Sequence, residues 1–384
     1  MVDGASLERL LVHGPPPPDP WETARKILAE RREFGITRLG SVTELDRVGI
    51  PVAQVVRPMS RSVTVNQGKG LTFPQAAISG LMESLEGWAS ERIPQERVEF
   101  AELMAMNKEG YWSHLLPQRD CNETLAWIEG WDLFSHRPIY VPLALVDTAY
   151  TMPSPHPRWL PRNTTGLAAG TSLQQAIMHA SLEALERHAR CAAMKMPHFF
   201  DRYQLDSNSV RTRTAAAVVE RLVSAGFAIG IWSIPTEHDL PVYWCHIMES
   251  DRKAPLAPWP AEGFGCDVTH DRALTKALLE ACQSRLGVIS AAREDIAASQ
   301  YGYQSTSELA AWRRQLSIQG LPCLPADQLT SVRGSAQKAL DALRVAGATA
   351  VIVVILFSDE SIPLHVVRVV TPPLETNPEY NSGR

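Results

Sequence analysis

Two pairs of glutamates, each with a spacing of three residues, are notable in this chain because the second pair repeats the first at a fixed offset. Glu83 and Glu86 form the first pair, and Glu183 and Glu186 form a second pair 100 residues further on. Residues with this spacing share one face of a helix, where two like charges repel by about 0.2–0.5 kcal/mol. A cation should therefore lie between the carboxylates. A divalent ion carrying a phosphate ligand is the simplest candidate, because Mg²⁺ binds carboxylate oxygens together with substrate phosphates.

The alternative is that both pairs lie on the solvated faces of ordinary amphipathic helices. A solvated face should be rich in lysine and should vary, whereas here Glu-x-x-Glu recurs and lysine is absent from both stripes. We therefore favour a metal and phosphate site. In the second helix the same stripe also carries Gln175, His179 and Arg190. His179 is either a ligand of the site or a polar residue that lines its cleft.

The glutamate pairs belong to a longer internal repeat. Seven identical residues align at an offset of 100: Gly70/Gly170, Gln75/Gln175, Ala76/Ala176, Glu83/Glu183, Leu85/Leu185, Glu86/Glu186 and Ala89/Ala189. A third copy keeps the core of the pattern as Ala273, Glu280 and Gln283. Apolar residues cover the face of the first two helices away from the glutamates, as expected of helices that pack on a core. We expect the pseudo-repeats to surround one central cleft.

Two further features could bind phosphate. Lys69 lies between two glycines directly before the first helix, where backbone N–H groups and a lysine favour an anion. A simple tight turn is the alternative, because Gly-x-Gly is a weak signal. Arg285 falls on the apolar side of the third helix, where it is either a surface side chain or a buried phosphate ligand. With Glu280 and Gln283 nearby, we favour the phosphate ligand and assign these three residues as the candidate catalytic group.

Composition favours an ordinary globular protein and argues against a general nucleic-acid binder. The chain has 384 residues, of which 45% are hydrophobic and 21% charged, as in ordinary globular domains. Its net charge of −5 and pI near 6.1 argue against general nucleic-acid binding, since no basic stripe neutralises phosphates. An acidic protein can still bind ATP if a metal ion and a few basic side chains reverse the local field.

The cysteines and the apolar runs exclude two other classes. The six cysteines form no Cys-x-x-Cys pair of the kind that binds zinc. Nothing at the N-terminus is typical of a signal peptide. The longest apolar run, at 348–357, has ten residues, which is too short to span a bilayer. We expect a cytoplasmic protein with no membrane partner, and we predict a buried strand at 348–357.

Predicted strands and helices interleave without a strict order, which favours an α+β class with mixed sheets over a doubly wound sheet. Besides the first two repeat helices, we predict helices at 21–32, 214–225, 272–286, 307–316 and 335–345. Strands are predicted at 51–58, 61–66, 138–146, 227–234, 242–248, 348–357 and 364–370. The expected organisation is a proline-rich extension and helix at 1–34, one large domain at 35–375, and a tail at 376–384. A proline-rich loop at 152–163 separates the first two repeats.

The three repeat blocks resemble the signature blocks of the YcaO superfamily. They read SRSVTVNQGKGLTFPQAAISGLMESLEGWASER, NTTGLAAGTSLQQAIMHASLEALER and GFGCDVTHDRALTKALLEACQSRLGVISAAREDI. The upstream GITRLGSVTELDRVGIPVAQVVRP is similar to the branch associated with TfuA partner proteins. The resemblance covers nearly the whole chain. It implies an ATP- and Mg²⁺-dependent fold without a Walker loop, which phosphorylates a backbone amide oxygen of a peptide.

The resemblance also implies roles for single residues. Four positions match the family's nucleotide-metal glutamates, namely Glu83, Glu86, Glu183 and Glu186. Arg187 matches the arginine that contacts the nucleotide. Family members commonly carry a glutamate, as a further metal ligand, where this chain has Gln175. An amide oxygen could still bind there, although the site then loses one negative charge.

The shared core leaves the product open. A neighbouring Cys, Ser or Thr side chain would give an azoline, external sulfide a thioamide, and the N-terminal amine a macrocyclic amidine. Azoline-forming members usually end in Pro-x-Pro-x-Pro, whereas this chain ends in TPPLETNPEYNSGR, and residues 1–34 leave no room for a fused recognition domain. With the TfuA-like block, these features favour an enzyme that forms a thioamide on a precursor peptide or protein, using a TfuA-type partner and a sulfide source. A homodimer is also expected. The alternatives are a non-enzymatic accessory factor for ribosomal-protein methylthiolation and a plain ATP-hydrolysing binding module.

Overall fold

The computed structural model describes residues 19–115, 123–250, 257, 259–301, 306–318, 320–321, 335–359 and 361–376. The proline run at 15–18, Cys121, Cys323 and the tail from residue 377 lie outside the described residues. Within the described ranges, none of the helices combines the length and the apolar character that crossing a bilayer requires.

Helices and short strands alternate irregularly along the chain. The strands are β1 (Arg38–Ser41), β2 (Val52–Val56), β3 (Val65–Lys69), β4 (Val98–Glu102), β5 (Thr124–Asp132), β6 (Arg137–Pro142), β7 (Leu167–Gly170), β8 (Gln204–Leu205), β9 (Phe227–Ile234), β10 (Val242–Glu249), β11 (Ala261–Cys266), β12 (Ile352–Asp359) and β13 (Leu364–Val370). The helices are Pro20–Ala29, Phe73–Ser90, Leu103–Met106, Leu173–Lys195, Phe199–Arg202, Arg213–Ser224, His270–Ser290, Thr306–Leu316 and Ser335–Val345.

The strands form three antiparallel sheets. One sheet has the order β1-β2-β3, and a second has the order β11-β10-β9-β8. The third has six strands in the order β4-β5-β12-β13-β7, with β6 also paired to β5. The helices pack on these sheets, so the expected mixed α+β class is confirmed.

The internal repeat appears in the structure as three strand–helix units. The strands β3, β7 and β11 lead into the helices Phe73–Ser90, Leu173–Lys195 and His270–Ser290, which we call the first, second and third repeat helices. Each helix begins after a hydroxyl residue whose oxygen accepts a hydrogen bond from a backbone N–H of the first turn: Thr72, Ser172 and Thr269. Such N-caps stabilise a helix by about 1 kcal/mol each. The first glutamate follows at the same interval in every unit, from 72 to 83, 172 to 183 and 269 to 280.

Glycines let each strand lie directly against its helix. A Cβ atom at Gly68 would lie 2.1 Å from the carbonyl oxygen of Ala76, and one at Gly265 would lie 2.0 Å from that of Ala273. At Gly170 the Cβ would lie 2.6 Å from the backbone nitrogen of Ala176. No side chain fits at these distances. The repeated glycines and alanines of the sequence are therefore explained by this close strand–helix packing.

Each repeat helix buries its apolar face in a different part of the core. Leu81 and Leu85 of the first helix share a cluster with Ile27 of helix Pro20–Ala29 and Val366 of β13. The second helix packs against β10, β12 and β13, and the third packs against helix Arg213–Ser224 and β9. A fully buried leucine contributes about 1.5–3 kcal/mol relative to an exposed one. The three apolar faces thus fix the helices while their polar stripes remain free to face one another.

Some element boundaries differ from the prediction. The strand predicted at 61–66 is displaced to Val65–Lys69, and the one predicted at 138–146 ends at Pro142, where a single helical turn follows. The apolar run at 348–357 forms a strand only from Ile352, because the N–H of Val351 donates to the Asp132 carboxylate instead of to a neighbouring strand. The strands β1, β4, β5, β7, β8 and β11 were not predicted.

Candidate active site

The polar stripes of the three repeat helices face one large cleft of about 1540 Å³. The predicted site residues that line it are Lys69, Glu83, Glu86, His179, Glu183, Glu186, Arg187, Glu280, Gln283 and Arg285. Residues from distant parts of the sequence thus meet in one place. The expected central cleft between pseudo-repeats is present.

The second polar residue of each repeat reaches the strand of another repeat. Glu86 accepts a hydrogen bond from the backbone N–H of Ala169 in β7 at 2.8 Å. Glu186 accepts one from the N–H of Cys266 in β11 at 3.0 Å. Gln283 completes the cycle, because its side-chain nitrogen donates to the carbonyl of Gln67 in β3 at 3.0 Å. We call this arrangement the cyclic clasp.

The first carboxylate of each pair is held within its own repeat. Glu183 accepts a hydrogen bond from the N–H of Gly166, just before β7, at 3.1 Å. Backbone N–H groups of Gln67 and Phe264 donate in the same way to Glu83 and Glu280. Because backbone groups hold one oxygen of each carboxylate, the side chains are fixed before any ligand arrives.

Three cations lie among the carboxylates. Lys69 Nζ is 2.9 Å from Glu280 Oε2. Arg187 lies between the pair of the second repeat helix, 3.8 Å from Glu183 and 3.7 Å from Glu186. Arg293 Nη1 is 3.5 Å from Glu83 Oε1. The cleft therefore combines an excess of carboxylates with a few basic groups, as a site for a metal ion and a polyphosphate requires.

Burial disfavours the ionised form of most of these carboxylates. Burial, together with Glu280 and Glu183, raises the pKa of Glu186 to about 7. Burial and repulsion from Glu83 raise the pKa of Glu86 well above its ordinary value. Glu280 differs, because Lys69 and Arg187 outweigh burial and lower its pKa. A divalent cation at Glu86 and Glu186 would restore their ionised form.

The donor set fits Mg²⁺ bound together with phosphate. Among the described residues, no three His, Cys, Asp or Glu side chains converge closely enough to hold a metal ion by themselves. Mg²⁺ is commonly bound by one or two carboxylates while waters and substrate phosphates supply its other ligands. The paired glutamates match this pattern. A closed structural metal site, with all ligands from the protein, does not fit.

Some polar side-chain atoms of the described residues in the cleft have no hydrogen-bond partner. Within the described part of the chain, Asn66 Oδ1, Gln67 Nε2 and Gln283 Oε1 are buried without a hydrogen-bond partner. All three residues line the cleft, as does Gly287, where a Cβ would lie 3.1 Å from Gln67 Oε1. Buried polar groups normally find partners, so a ligand with both donors and acceptors fits here. The edge of a nucleobase such as adenine is such a ligand.

The comparison with known families is decisive for the fold. A sequence profile of the family described as "YcaO cyclodehydratase, ATP- and Mg²⁺-binding" matches residues 67–375. The chain belongs to the YcaO family. The family description also names the two cofactors that the sequence led us to expect, ATP and Mg²⁺.

Known YcaO-like proteins match the chain over most of its length. A relative from Rhizobium leguminosarum bv. trifolii, named only by its position in the tfuA 3′ region, is 30% identical over 93% of this chain and 88% of its own. YcaO from Methanopyrus kandleri, solved bound with AMPPCP and Mg²⁺, has a TM-score of 0.71 at 24% identity, covering 94% of this chain and 92% of that one. The E. coli microcin synthetase McbBCD complex with pro-MccB17 bound has a TM-score of 0.60 at 15% identity over 87% of each chain. The expected YcaO-type architecture is confirmed.

Gln175 does not reach the cleft, where it was predicted to bind metal or nucleotide, but contacts the start of its own helix in this YcaO chain. Its side-chain oxygen accepts hydrogen bonds from the backbone N–H and the hydroxyl of Thr171, each at 2.8 Å. Gln75 does the same in the first repeat, accepting from the N–H of Leu71 at 3.0 Å. Neither glutamine belongs to the described residues that line the cleft. The structure therefore gives Gln175 a helix-capping role in place of the predicted ligand role.

Arg285 also departs from the prediction. It borders the cleft, but its side chain is only 1% exposed and is bound by two carboxylates. Its Nε lies 2.8 Å from Asp46 Oδ2 and its Nη2 lies 3.0 Å from Glu249 Oε1. The guanidinium also lies 4.9 Å from the centre of the Phe227 ring. A phosphate would have to displace these partners, so we reassign Arg285 from phosphate ligand to a structural ion pair.

His179 lines the cleft as a neutral polar residue. Burial, with Lys276 nearby, lowers the pKa of His179 to about 4. This matches the second of the two roles considered for it, a polar residue of the cleft wall. Sequence reasoning missed Arg293, Asn66 and Gln67. The signal for the last two was present, because consecutive amide side chains are unusual in a strand as buried as β3.

Proposed function

We propose that this YcaO chain uses MgATP to phosphorylate a backbone amide oxygen of a peptide, and that sulfide then converts the activated amide into a thioamide. The observation that carries the first step is the cyclic clasp, in which buried Glu186 and half-buried Glu86, from two repeats, face one cleft beside Arg187 and Lys69. A surface with no ligand would not hold ionisable groups buried at this cost.

Individual residues take the following roles in the proposal. The pairs Glu83/Glu86 and Glu183/Glu186 would hold Mg²⁺, and the bound ion would neutralise negative charge on the phosphates. Arg187 and Lys69 lie beside the carboxylates and stabilise the negative charge that develops on the transferring phosphoryl group. The unpartnered amide atoms of Asn66, Gln67 and Gln283 bind the nucleobase. Glu280 positions Lys69 through their 2.9 Å ion pair.

In the proposed reaction the amide oxygen attacks the γ-phosphorus of ATP and ADP leaves. Hydrosulfide then adds to the amide carbon, phosphate leaves with the original amide oxygen, and loss of one proton gives the neutral thioamide. The amide is a poor electrophile until its oxygen becomes part of a phosphate leaving group. Fixed carboxylates and cations lower the barrier because they need little reorganisation during the transfer. The chain thus supplies positioning and electrostatics, as is usual for phosphoryl transfer.

The choice of a thioamide rests on genetic context and on the block upstream of the first repeat. The relative that is 30% identical lies in the tfuA 3′ region of its genome, which supports a TfuA-type partner for this chain as well. The family description favours the second candidate, an azoline-forming cyclodehydratase. The two products require different nucleophiles but the same activated amide.

Mass spectrometry of the product separates the two candidates. The purified chain would be combined with ATP, Mg²⁺, a TfuA-type partner, a sulfide source and a short peptide encoded beside its gene. We expect a mass gain of one sulfur minus one oxygen, which persists when Cys, Ser and Thr of the peptide are replaced by Ala. Loss of water that depends on one of those residues would favour the azoline. Glu86→Gln is the negative control and should leave the peptide mass unchanged. An unchanged mass with the wild type as well would contradict amide activation altogether.

A further inference from the structure

The cleft continues beyond the glutamates into a part walled by aromatic rings. Its residues there are Phe200, Trp244, His246, Trp259 and Trp312. The whole cleft measures about 1540 Å³, whereas pockets for one small ligand are commonly about 300–1,000 Å³. The nucleotide and its metal ions therefore leave room for a second ligand. We call this part the aromatic end of the cleft.

His246 is the polar group at the aromatic end. Its ring centre lies 5.5 to 5.9 Å from those of three residues that also line the cleft, Phe200, Trp244 and Trp312. The side chain is only 6% exposed. Among the described residues neither ring nitrogen has a hydrogen-bond partner. The closest carboxylate oxygen, on Glu262, is 3.7 Å from Nε2 and too distant for a good hydrogen bond.

Strand register places these residues beside one another. His246 in β10 is directly opposite Glu262 in β11, and Trp244 is directly opposite Phe264. Trp244 and His246 are two residues apart in β10 and so share one face of the sheet. A buried imidazole that makes no hydrogen bond among the described residues, with Glu262 3.7 Å away as its only nearby carboxylate contact, leaves free energy that a ligand offering a donor or an acceptor would recover. The orphaned nitrogens of His246 thus indicate a polar ligand within an aromatic wall.

The aromatic end adjoins the glutamates. Glu262 lies 3.6 Å from Arg190, which follows Glu186 by one turn of the second repeat helix, about 5–6 Å along its axis. Further along β11, Cys266 donates its N–H to Glu186. A ligand at His246 would therefore reach the place where the phosphates and metal ions are expected. A substrate of phosphoryl transfer has to lie at this position.

A peptide fits this end better than the nucleobase does. The unpartnered amide atoms suited to a base lie elsewhere in the cleft, in β3 and the third repeat helix, at Asn66, Gln67 and Gln283. Aromatic rings pack against flat groups, and peptide amides are flat, with one donor and one acceptor each. An imidazole can serve either of them.

We propose that the aromatic end binds an extended segment of the peptide substrate, and that His246 positions it by hydrogen bonding to a backbone amide. This inference rests on the proposed function, since it takes the substrate to be a peptide, but peptide binding can be measured without turnover. His246 acts here as a positioning residue. Trp312 and Trp244 form the walls that exclude water and select flat or aromatic neighbours of the modified amide.

The test uses a displayed library of randomised short peptides and the full-length chain with Mg²⁺ and a non-hydrolysable ATP analogue. We expect wild type to enrich peptides, and the enriched peptides to bind His246→Ala and Trp312→Ala about tenfold more weakly or worse. His246→Gln should retain most of the affinity, because its amide can also donate and accept. Affinity for the ATP analogue, measured by calorimetry, should stay within about twofold for all three variants.

Controls separate this site from its alternatives. Phe100→Ala removes an aromatic ring that is 70% exposed in β4, outside the cleft, and should leave peptide binding unchanged. Thermal melting confirms that each variant is folded. Selective loss of ATP-analogue affinity would overturn the inference, because the aromatic end would then hold the base. Equal peptide binding by wild type and both alanine variants, or no enrichment by wild type, would also overturn it. Failure of wild type to bind MgATP would contradict the proposed function and leave the peptide result to be judged by itself.

Discussion

The carboxylate of Glu186 accepts a hydrogen bond from the backbone N–H of Cys266 at 3.0 Å, so a side chain of the second repeat is held by the strand of the third. Glu86 has the same relationship with Ala169, one repeat earlier. Gln283 closes the cycle on Gln67. Each repeat therefore supplies one side chain to the cleft, and its strand holds the side chain supplied by another repeat.

Glu83→Gln and Glu186→Gln should separate charge from shape. Each variant keeps the size of the side chain and an oxygen that can accept the same backbone hydrogen bond. We expect both variants to stay folded, with Glu186→Gln melting no earlier than wild type, and a loss of at least about tenfold in MgATP affinity, with turnover falling further. Glu44→Gln, an exposed carboxylate outside the cleft, is the matched control. Near-normal ATP turnover in the two cleft variants would show that these glutamates are only a solvated face.

ATP binding should require a divalent ion. Without one, the triphosphate would meet the carboxylates of both glutamate pairs directly, and like charges repel. Calorimetry should give a measurable affinity in Mg²⁺ and none in EDTA. Equal affinity in the two buffers would contradict the metal-bridged arrangement.

The contribution of Glu186 to the stability of the apo protein should fall as the pH rises from 4.5 towards 7, whereas buried His179, whose pKa is lowered to about 4, acts in the opposite direction over much of this range. Burial raises the pKa of Glu186 from 4.5 in the unfolded chain to about 7 in the fold. Its contribution is therefore fully present below the lower value and is lost as the folded group ionises. Each unit of difference corresponds to about 1.4 kcal/mol, so an effect of a few kcal/mol is expected. Melting in EDTA over this range should show Glu186→Gln gaining stability relative to wild type as the pH rises, because both proteins share the effect of His179, and adding Mg²⁺ should stabilise wild type most at the upper end.

Arg285 and Arg187 should give opposite results. Arg285→Ala leaves Asp46 buried without the cation that binds it and leaves Glu249 with only the more distant Arg47, at 3.7 Å, which should cost about 3–5 kcal/mol of unfolding free energy. Arg187→Gln, at a side chain 25% exposed to the cleft, should lower turnover with little change in melting temperature. Arg285→Lys retains the charge but loses the two-pronged contact with Asp46, so it should melt earlier while its remaining folded fraction keeps a normal KM for ATP. A stable Arg285→Lys with impaired phosphoryl transfer would restore the original assignment.

Gln175→Ala should affect the helix and leave the site unchanged. Loss of the contacts with Thr171 should cost about 1 kcal/mol, as for other capping residues. Gln75→Ala, at the equivalent position of the first repeat, should cost a similar amount. MgATP affinity should match wild type in both variants. A selective loss of Mg²⁺ or ATP affinity in Gln175→Ala would show that the glutamine is a ligand after all.

Local patterns in the sequence predicted the repeat helices and the meeting of their glutamates, because helical periodicity fixes which side chains share a face. The pattern Ser172-x-x-Gln175 was also a readable capping signal, although resemblance to a ligand position led us to another role. The partner of Arg285 could not be predicted in this way, since Asp46 is 239 residues away. His246 gives no local signal either. Its environment depends on the register between β10 and β11 and on a ring contributed by the distant Trp312.

The position of β7 has a consequence for the order of events during synthesis. This strand holds Glu86 through Ala169, yet its hydrogen-bonded neighbour in the sheet is β13, at Leu364–Val370. A chain emerging from the ribosome completes all three repeats, up to residue 290, before β13 has been made. Until then the Ala169 side of the cyclic clasp has no sheet to support it. If the cleft binds nucleotide as proposed, the nascent chain should therefore be unable to do so until β13 has been released.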